Sequence, residues 1–272
     1  MTRWTERQQA MLGEMGLRLW LPPDAPASVP VLAPALEPPA QLAAREVSRA
    51  YGPTAHAPIA PAPSERSAAI ARLDWPALQQ AVAGCTACGL CQTRRQTVFG
   101  VGHPQAHCMI VGEAPGEQED AQGQPFVGES GQLLDRMLRA LGLSRQAGDA
   151  ARQVFIANTL KCRPPRNRNP SADELAACQP FLQRQVALVQ PRVILAMGRF
   201  AVQSLLGSDA PIGKLRGRVH DWQGVPLVVT YHPAYLLRQP QDKAAAWDDL
   251  CRAAQVLDSA EAPDARRLTP DA

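Results

Sequence analysis

The sequence predicts an α/β fold with three layers, α/β/α, in which the middle layer is a mostly parallel four-stranded sheet. Four short apolar runs have the length of buried strands, and helix-length segments separate them. Strands that alternate with helices form parallel sheets covered by helices on both faces. A hydrophobic content of 46% also excludes a chain that is disordered throughout.

The first part of the chain precedes this pattern and has a different composition. Residues 5–20 place apolar side chains at helical spacing, which favours a short amphipathic helix. From Leu21 to about Pro63 the chain is rich in Pro and Ala, which favours a disordered, extended linker. We therefore expect an N-terminal extension over residues 1–66, a folded domain over residues 67–258 and a polar tail over residues 259–272.

Each of the four predicted strands is followed by a distinctive polar or glycine-rich segment. The strands are expected at Cys108–Gly112, Val154–Asn158, Val193–Met197 and Leu227–Thr230. The helices are expected over 132–141, 172–189, 200–206 and 243–257. Because ligands bind outside the carboxyl ends of parallel strands, the segments that follow the strands should converge on one site.

Charge and hydropathy exclude several classes of protein. The net charge of +3 is too small to indicate a nucleic-acid-binding protein by bulk charge, so any such function depends on local basic segments. No stretch approaches the roughly 20 apolar residues of a membrane helix, and the polar N-terminus leads into no signal-peptide core. We expect a cytoplasmic protein that does not act at a membrane.

The seven cysteines indicate a metal site rather than disulfides, because the chain is long and a reducing compartment is expected. The spacing of Cys85 and Cys88 lets both thiolates face one metal centre. Cys162 and Cys178 join them only if the loop between these two residues folds back. Four thiolates suit Zn²⁺ or an iron–sulfur cluster, and the spacing does not choose between them. Cys91 stays open as a further ligand.

Four segments follow one another along the chain at Gly112–Gly116, Gly123–Gly128, Asn158–Pro170 and His232–Leu236. In this order they resemble the family 4 uracil-DNA glycosylases, which are iron–sulfur members of the uracil-DNA glycosylase superfamily. The resemblance runs from about Leu78 to Leu257. The resemblance implies a DNA-repair enzyme that flips uracil out of single- or double-stranded DNA and hydrolyses its N-glycosidic bond. It also implies a [4Fe–4S] cluster held by Cys85, Cys88, Cys162 and Cys178, with Cys91 outside the ligand set.

The resemblance also implies a uracil pocket. Ala114 would line it, Phe126 would be the aromatic platform, and Asn158 would read the edge of the base. His232 would stabilise the negative charge that develops at O2 of the departing uracil.

The group that positions the attacking water stays open. The best-known branch of the superfamily has an Asp where Ala114 stands here. Glu113 is the favoured substitute, Asn167 is the second candidate, and a transition state that needs little help from a base is the third.

The same resemblance implies that two segments, Asn158–Pro170 and His232–Leu236, contact DNA. Phosphates require cations, and Leu236 with Tyr235 would enter the space left by the flipped base. The expected DNA-binding residues are Lys161, Arg163, Arg166, Arg168, Tyr235 and Leu236, with Lys214, Arg216 and Arg218 as a second basic patch.

Two alternatives remain beside this interpretation. One is a non-catalytic or covalently trapping protein that binds uracil-containing or damaged DNA, although trapping members carry Gln in place of Ala114 and a His in the inserted loop. The other is a nucleic-acid-binding module with structural zinc.

Residues 6–23 loosely resemble a clamp-loader-binding peptide. They either dock on a replication partner or pack back on the domain. A monomer is expected.

Overall fold

The computed structural model of the protein describes Gly13, residues 64–146 and residues 148–261. Apart from Gly13, the predicted N-terminal helix and the Pro/Ala-rich linker lie outside the described residues, as does the tail beyond residue 261. The described residues resume at Ser64, three residues before the predicted domain boundary, and the Ser64 side chain caps the first helix of this part of the chain. Arg66 then donates to the carbonyl of Ala177 and lies over the ring of Phe181. The last helix extends past the boundary predicted at residue 258 and ends at Glu261.

A six-stranded sheet forms the centre of the structure. In the order β1-β3-β2-β4-β6-β5, its strands are β1 (Val101–Gly102), β3 (Val154–Asn158), β2 (Cys108–Gly112), β4 (Val193–Met197), β6 (Val225–Thr230) and β5 (Val219–Trp222). The four predicted strands are the parallel ones, so the predicted fold class is confirmed. The sheet has more strands than predicted because β1 and β5 add antiparallel edges. These two segments are too short, or too polar, to show a strand pattern in the sequence.

Helices cover both faces of the sheet. They are α1 (Glu65–Ile70), α2 (Trp75–Ala83), α3 (Glu117–Gln122), α4 (Glu129–Ala140), α5 (Ala172–Val189), α6 (Arg199–Leu206), α7 (Ile212–Leu215), α8 (Pro233–Arg238) and α9 (Lys243–Glu261). Short 3-10 turns lie at Gly89–Gln92, Pro165–Asn167 and Pro240–Asp242. Within the part of the chain described here, no helix is both long enough and apolar enough to cross a membrane.

Side chains that alternate along the strands divide the core into two layers. In β2, Ile110 packs with residues of α4, α8 and α9, whereas Met109 and Val111 pack with residues of α5 and α6. This alternation follows from the two-residue repeat of a strand. Because both faces are covered, every residue of β2, β3 and β4 is buried.

The register of the strands brings their carboxyl ends to one edge. Gly112 at the end of β2 pairs with Asn158 at the end of β3, and Met197 at the end of β4 pairs with Thr230 at the end of β6. The segments that follow these strands therefore emerge side by side, as the sequence predicts.

Candidate active site

A cavity of about 250 Å³ lies where these segments meet. Its volume suits a single planar ring rather than a larger ligand. The residues predicted for catalysis and uracil binding all line it: Glu113, Ala114, Phe126, Asn158, Asn167 and His232. The structure thus brings the six together, although they come from four separate segments of the chain.

Asn158 presents an unsatisfied acceptor in this cavity. The residue is 2% exposed, and its Oδ1 is buried with no hydrogen-bond partner among the described residues. An unpaired buried polar atom is costly, so its presence indicates a place for a donor from a ligand. Gly112 makes room for it, because a Cβ atom there would stand 2.6 Å from Cζ of Phe126 and even closer to Asn158 Oδ1.

Phe126 is held in a left-handed backbone conformation, with φ of 54°. This conformation costs a non-glycine residue on the order of 1 kcal/mol. The buried carboxylate of Glu119 stabilises the segment, since its Oε1 accepts hydrogen bonds from the backbone N–H groups of Val127 and Gly128. Its Oε2 accepts from the N–H of Gly116. Glu119 therefore ties the turn after β2 to the aromatic side chain of the cavity.

His232 is a neutral side chain with a defined tautomer. Its Nδ1 accepts a hydrogen bond from the N–H of Ala234 at 3.1 Å, so the ring proton is on Nε2. Desolvation, together with a smaller effect from the charge of Arg238, lowers the pKa of His232 to about 4, while Glu119 acts in the opposite direction. The ring stacks on Phe126 with centroids 5.3 Å apart. The cavity thus contains a neutral N–H donor beside an aromatic face.

Glu113 and Asn167 occupy different positions in the cavity wall. Glu113 is half-buried, and burial raises the pKa of its carboxyl group. Its backbone carbonyl accepts from Thr159 Oγ1 at 2.6 Å and from the N–H of Leu160 at 3.0 Å. Asn167 is exposed at the cavity edge, and its Oδ1 accepts from Nε of Arg163 at 2.8 Å.

A larger cavity of about 770 Å³ is continuous with the first, since Glu113, Asn167 and His232 line both. Arg199 and Arg238 also line it, so cations border the mouth of the small cavity. The arrangement suits a polyanion that passes over the site.

The predicted phosphate-binding residues differ in how free they are. Arg166 is exposed and has no ion pair among the described residues. Arg168 forms two hydrogen bonds with Glu174, at 2.6 and 2.9 Å, and its side chain remains 47% exposed. Arg163 lies 3.4 Å from Glu117. In the second basic patch, Arg216 is engaged by the buried Asp249.

The prediction that Lys161 contacts DNA is wrong. Lys161 is 1% exposed, and its Nζ donates to the backbone carbonyl of Asn158 and to Oε1 of Gln185, each at 2.7 Å. Its position two residues before Arg163 suggested a basic surface, but the chain turns this side chain into the interior.

The prediction that Leu236 enters the space left by a flipped base is also wrong for the described structure. Leu236 lies on the inner face of α8 and is fully buried in the core. Leu237, the next residue, is 42% exposed. Tyr235 is half-buried, stacks on Tyr231 and donates its hydroxyl proton to Asp242.

Three of the four predicted ligand cysteines meet at one cluster, although they come from distant parts of the chain. Cys162 and Cys178 are buried there with Leu90 and Leu160, and the partly buried Cys88 packs against them. Cys85 packs against a neighbouring cluster and interacts electrostatically with Cys162. Cations face the sulfur atoms: Arg94 donates to Sγ of Cys162 at 3.0 Å, and Arg66 donates to Sγ of Cys85 at 3.6 Å. None of the seven cysteines forms a disulfide bond. Among the described residues, no three His, Cys, Asp or Glu side chains are grouped closely enough to hold one metal ion.

Several residues at or near the site were not predicted from the sequence, among them Arg199 and Arg238 in the wall of the larger cavity. Glu119 stands at the third position of α3 after its cap at Gly116, and the spacing of this capping pattern was a usable signal. Thr159 and Leu237 give no such signal in the sequence. Only the packing shows that Thr159 faces the turn at Glu113 and that Leu237 faces solvent.

Comparison with known proteins adds an independent observation. The sequence model of the uracil DNA glycosylase superfamily matches residues 99–251. A type-4 uracil-DNA glycosylase of Sulfurisphaera tokodaii is 42% identical over 60% of this chain and 76% of its own length. A type-4 uracil-DNA glycosylase of Thermotoga maritima is 43% identical over 59% and 82%, and one of Pyrobaculum aerophilum is 40% identical over 65% and 92%.

Proposed function

Because the chain belongs to the uracil-DNA glycosylase superfamily and is similar to type-4 enzymes over about 60% of its length, we propose that it removes uracil from DNA. The enzyme flips the uracil nucleotide out of the strand and hydrolyses the N-glycosidic bond, which leaves an abasic site. This reaction makes it a DNA-repair hydrolase, in agreement with the interpretation of its motifs.

The unsatisfied Oδ1 of Asn158 is the observation that carries this proposal. Uracil has a hydrogen on N3 that can be donated to Oδ1, and its O4 can accept from the amide nitrogen of the same side chain. Cytosine has no hydrogen on N3 and has a donor at position 4, so it would leave the buried acceptor unpaired. Such mismatches of buried polar groups give strong discrimination.

His232 supplies the group that stabilises the leaving base. As the bond between N1 of uracil and C1′ breaks, the electron pair leaves with the base and negative charge develops at O2. The imidazole of His232 is neutral and has its proton on Nε2, so it can donate a hydrogen bond to this oxygen without a change of protonation state. Removal of one such donor costs about 10²–10³ in rate.

Glu113 supplies negative charge beside the sugar. Loss of the base leaves positive charge on C1′ and the ring oxygen, which a carboxylate stabilises. A water molecule then adds to C1′, and its proton passes to Glu113 or to solvent. Asn167 is fixed by Arg163 at the edge of the same cavity and is the second candidate to orient this water.

The DNA strand crosses the larger cavity and the loop between Cys162 and Cys178. Arg166, Arg163 and the exposed part of Arg168 contact phosphates on the loop side. Arg199 and Arg238 line the larger cavity, so they also contact phosphates of the strand.

We also propose that Cys85, Cys88, Cys162 and Cys178 hold a [4Fe–4S] cluster. Four thiolates are the usual ligands of such a cluster, and the nearby Arg94 and Arg66 offset its negative charge. When bound, the cluster cross-links the segments that carry these cysteines and so orders the DNA-contacting loop.

Residues 6–23 are proposed to dock on a partner of the replication machinery, such as a clamp loader, from a monomeric cytoplasmic enzyme. The support is the amphipathic pattern of this segment and the long Pro/Ala-rich stretch that separates it from Ser64.

The test is release of uracil from a single-stranded oligonucleotide and from duplexes with U·G or U·A pairs. We expect the purified, iron-replete protein to release uracil from all three and to leave alkali-sensitive sites. The matched variant Asn158→Asp removes the amide donor, so excision of uracil should slow and the preference for uracil over cytosine should fall by about 10-fold or more. A wild-type protein that releases no uracil would rule out the proposed function.

A further inference from the structure

The buried cation Lys161 is the most unusual polar group that the proposed mechanism leaves unused. Its side chain is 1% exposed, and no carboxylate is hydrogen-bonded to it among the described residues. A buried ammonium group is expensive unless its hydrogen bonds are satisfied by well-placed acceptors. A position that nevertheless retains it indicates a task for the charge.

The two acceptors of Lys161 reveal that task. One is the backbone carbonyl of Asn158, at 2.7 Å, and the other is Oε1 of Gln185 on α5, also at 2.7 Å. Gln185 is itself fixed, because it is fully buried and its Nε2 donates to the carbonyl of Phe99 at 2.8 Å. The ammonium group therefore anchors the residue that ends β3 to a rigid helix behind the sheet.

Asn158 has few other restraints on the side that faces the cavity. Its Oδ1 has no partner, and the glycine opposite it in β2 gives the side chain space rather than support. The backbone of Asn158 must then define where the amide points. A charge-assisted hydrogen bond to its carbonyl is stronger than a neutral one and restricts that backbone.

We propose that Lys161 is a positioning residue that holds Asn158 in the orientation that reads uracil, and that it takes no part in binding DNA. The inference rests on the proposed function, since it deepens the account of the same site. Lys161 also lies next to Cys162 and interacts electrostatically with Cys162 and Cys178.

The experiment compares Lys161→Met with the wild type and with Arg72→Met, which removes a cation from an exposed position outside both cavities. The measurements are the dissociation constant for free uracil, the single-turnover rate on uracil and cytosine oligonucleotides, and the salt dependence of DNA binding. Samples are matched by iron content.

For Lys161→Met we expect a loss of about 10- to 100-fold in uracil affinity and in excision rate, the size associated with one charge-assisted hydrogen bond. Selectivity for uracil over cytosine should fall, while the salt dependence of DNA binding stays unchanged. A phosphate contact would do the opposite, because its loss lowers the salt slope by about 1 and leaves free-uracil affinity intact. That result, or a variant identical to wild type, would overturn the inference.

Gln185→Leu provides the second variant if Lys161→Met does not fold. It removes one acceptor and leaves the contact with Asn158, so a smaller fall in uracil affinity is expected with no change in salt slope. Unchanged uracil affinity would contradict the proposal. If the wild type releases no uracil from DNA, the proposed function fails instead, and free-uracil affinity still reports on Lys161.

Discussion

At the scale of single residues, two titratable groups of the cavity have pKa values moved in opposite directions by the same cause. Burial disfavours the charged form of each group, so it raises the pKa of Glu113 and lowers that of His232 to about 4. Near neutral pH the imidazole of His232 is therefore uncharged. On acidification, the carboxylate of Glu113 takes up a proton at a higher pH than an ordinary glutamate does. Groups with such shifts are typical of catalytic sites.

The first prediction concerns the pH dependence that follows. Excision should be constant near neutral pH and should fall in acid with a midpoint above the value of about 4.3 for an ordinary glutamate, because protonation of Glu113 removes its negative charge. Glu113→Gln should be slower by about 10²-fold. Its remaining acid limb should move down to pH about 4, where His232 titrates. Single-turnover rates between pH 4 and 8 provide the measurement, and an unshifted profile in Glu113→Gln would assign the limb to another group.

At the scale of elements, α8 separates two adjacent leucines by its orientation on the core. His232 caps this helix through Nδ1, which fixes where the first turn begins. As a result Leu236 points into the core, whereas Leu237 is 42% exposed and directly precedes Arg238, which lines the larger cavity. If DNA crosses this cavity as proposed, an exposed apolar side chain at this position is suited to support an unstacked duplex.

The second prediction tests this separation. Leu237→Ala should slow excision from U·A duplexes several-fold and leave single-stranded substrate nearly unaffected, because only a duplex has a space to fill. The melting temperature should not change. Leu236→Ala is the matched comparison, and it should lower the melting temperature, since truncation of a buried leucine costs about 2–5 kcal/mol. Equal effects of Leu237→Ala on both substrates would argue against a role in base flipping.

The third prediction concerns the loop between Cys162 and Cys178, which leaves β3 and returns in α5. Cys178→Ser should lower the iron content and the broad absorbance near 400 nm, because it removes one proposed ligand thiolate. Cys91→Ser should keep both, since the resemblance to the family 4 enzymes leaves Cys91 outside the ligand set. Iron retained in Cys178→Ser and lost in Cys91→Ser would identify Cys91 as the fourth ligand.

At the scale of the whole molecule, α1 is the first helix of the continuously described part of the chain and packs against the domain. Ser64 caps this helix, Ile70 is buried with Leu78 and Phe181, and Arg66 donates to Sγ of Cys85. Any truncation must therefore stop before Ser64, because removal of Arg66 would disturb a proposed cluster ligand.

The fourth prediction follows from this boundary. Deletion of residues 1–63 should leave the excision rate and the melting temperature within experimental error of the full chain, because α1 and its cap are kept. If residues 6–23 dock on a clamp loader, the same deletion should abolish its capture by the full-length enzyme. A fall of several degrees in melting temperature would instead show that the N-terminal segment packs on the domain.

The sequence by itself determined the parallel centre of the sheet and the group of residues that meets at its edge. Buried parallel strands are short apolar runs, and their carboxyl ends must lie together, so Glu113, Asn158 and His232 could be placed at one site without coordinates. The family was equally accessible, because its motifs consist of consecutive residues.

Only the tertiary structure decided which way individual side chains point. Lys161 and Arg163 look alike in the sequence, but one is buried behind Asn158 and the other reaches the cavity edge. Leu236 and Leu237 are identical residues with opposite exposure. Orientation depends on how a turn or helix docks against the rest of the core, and that docking is set by contacts between residues far apart in the chain, which no local pattern records.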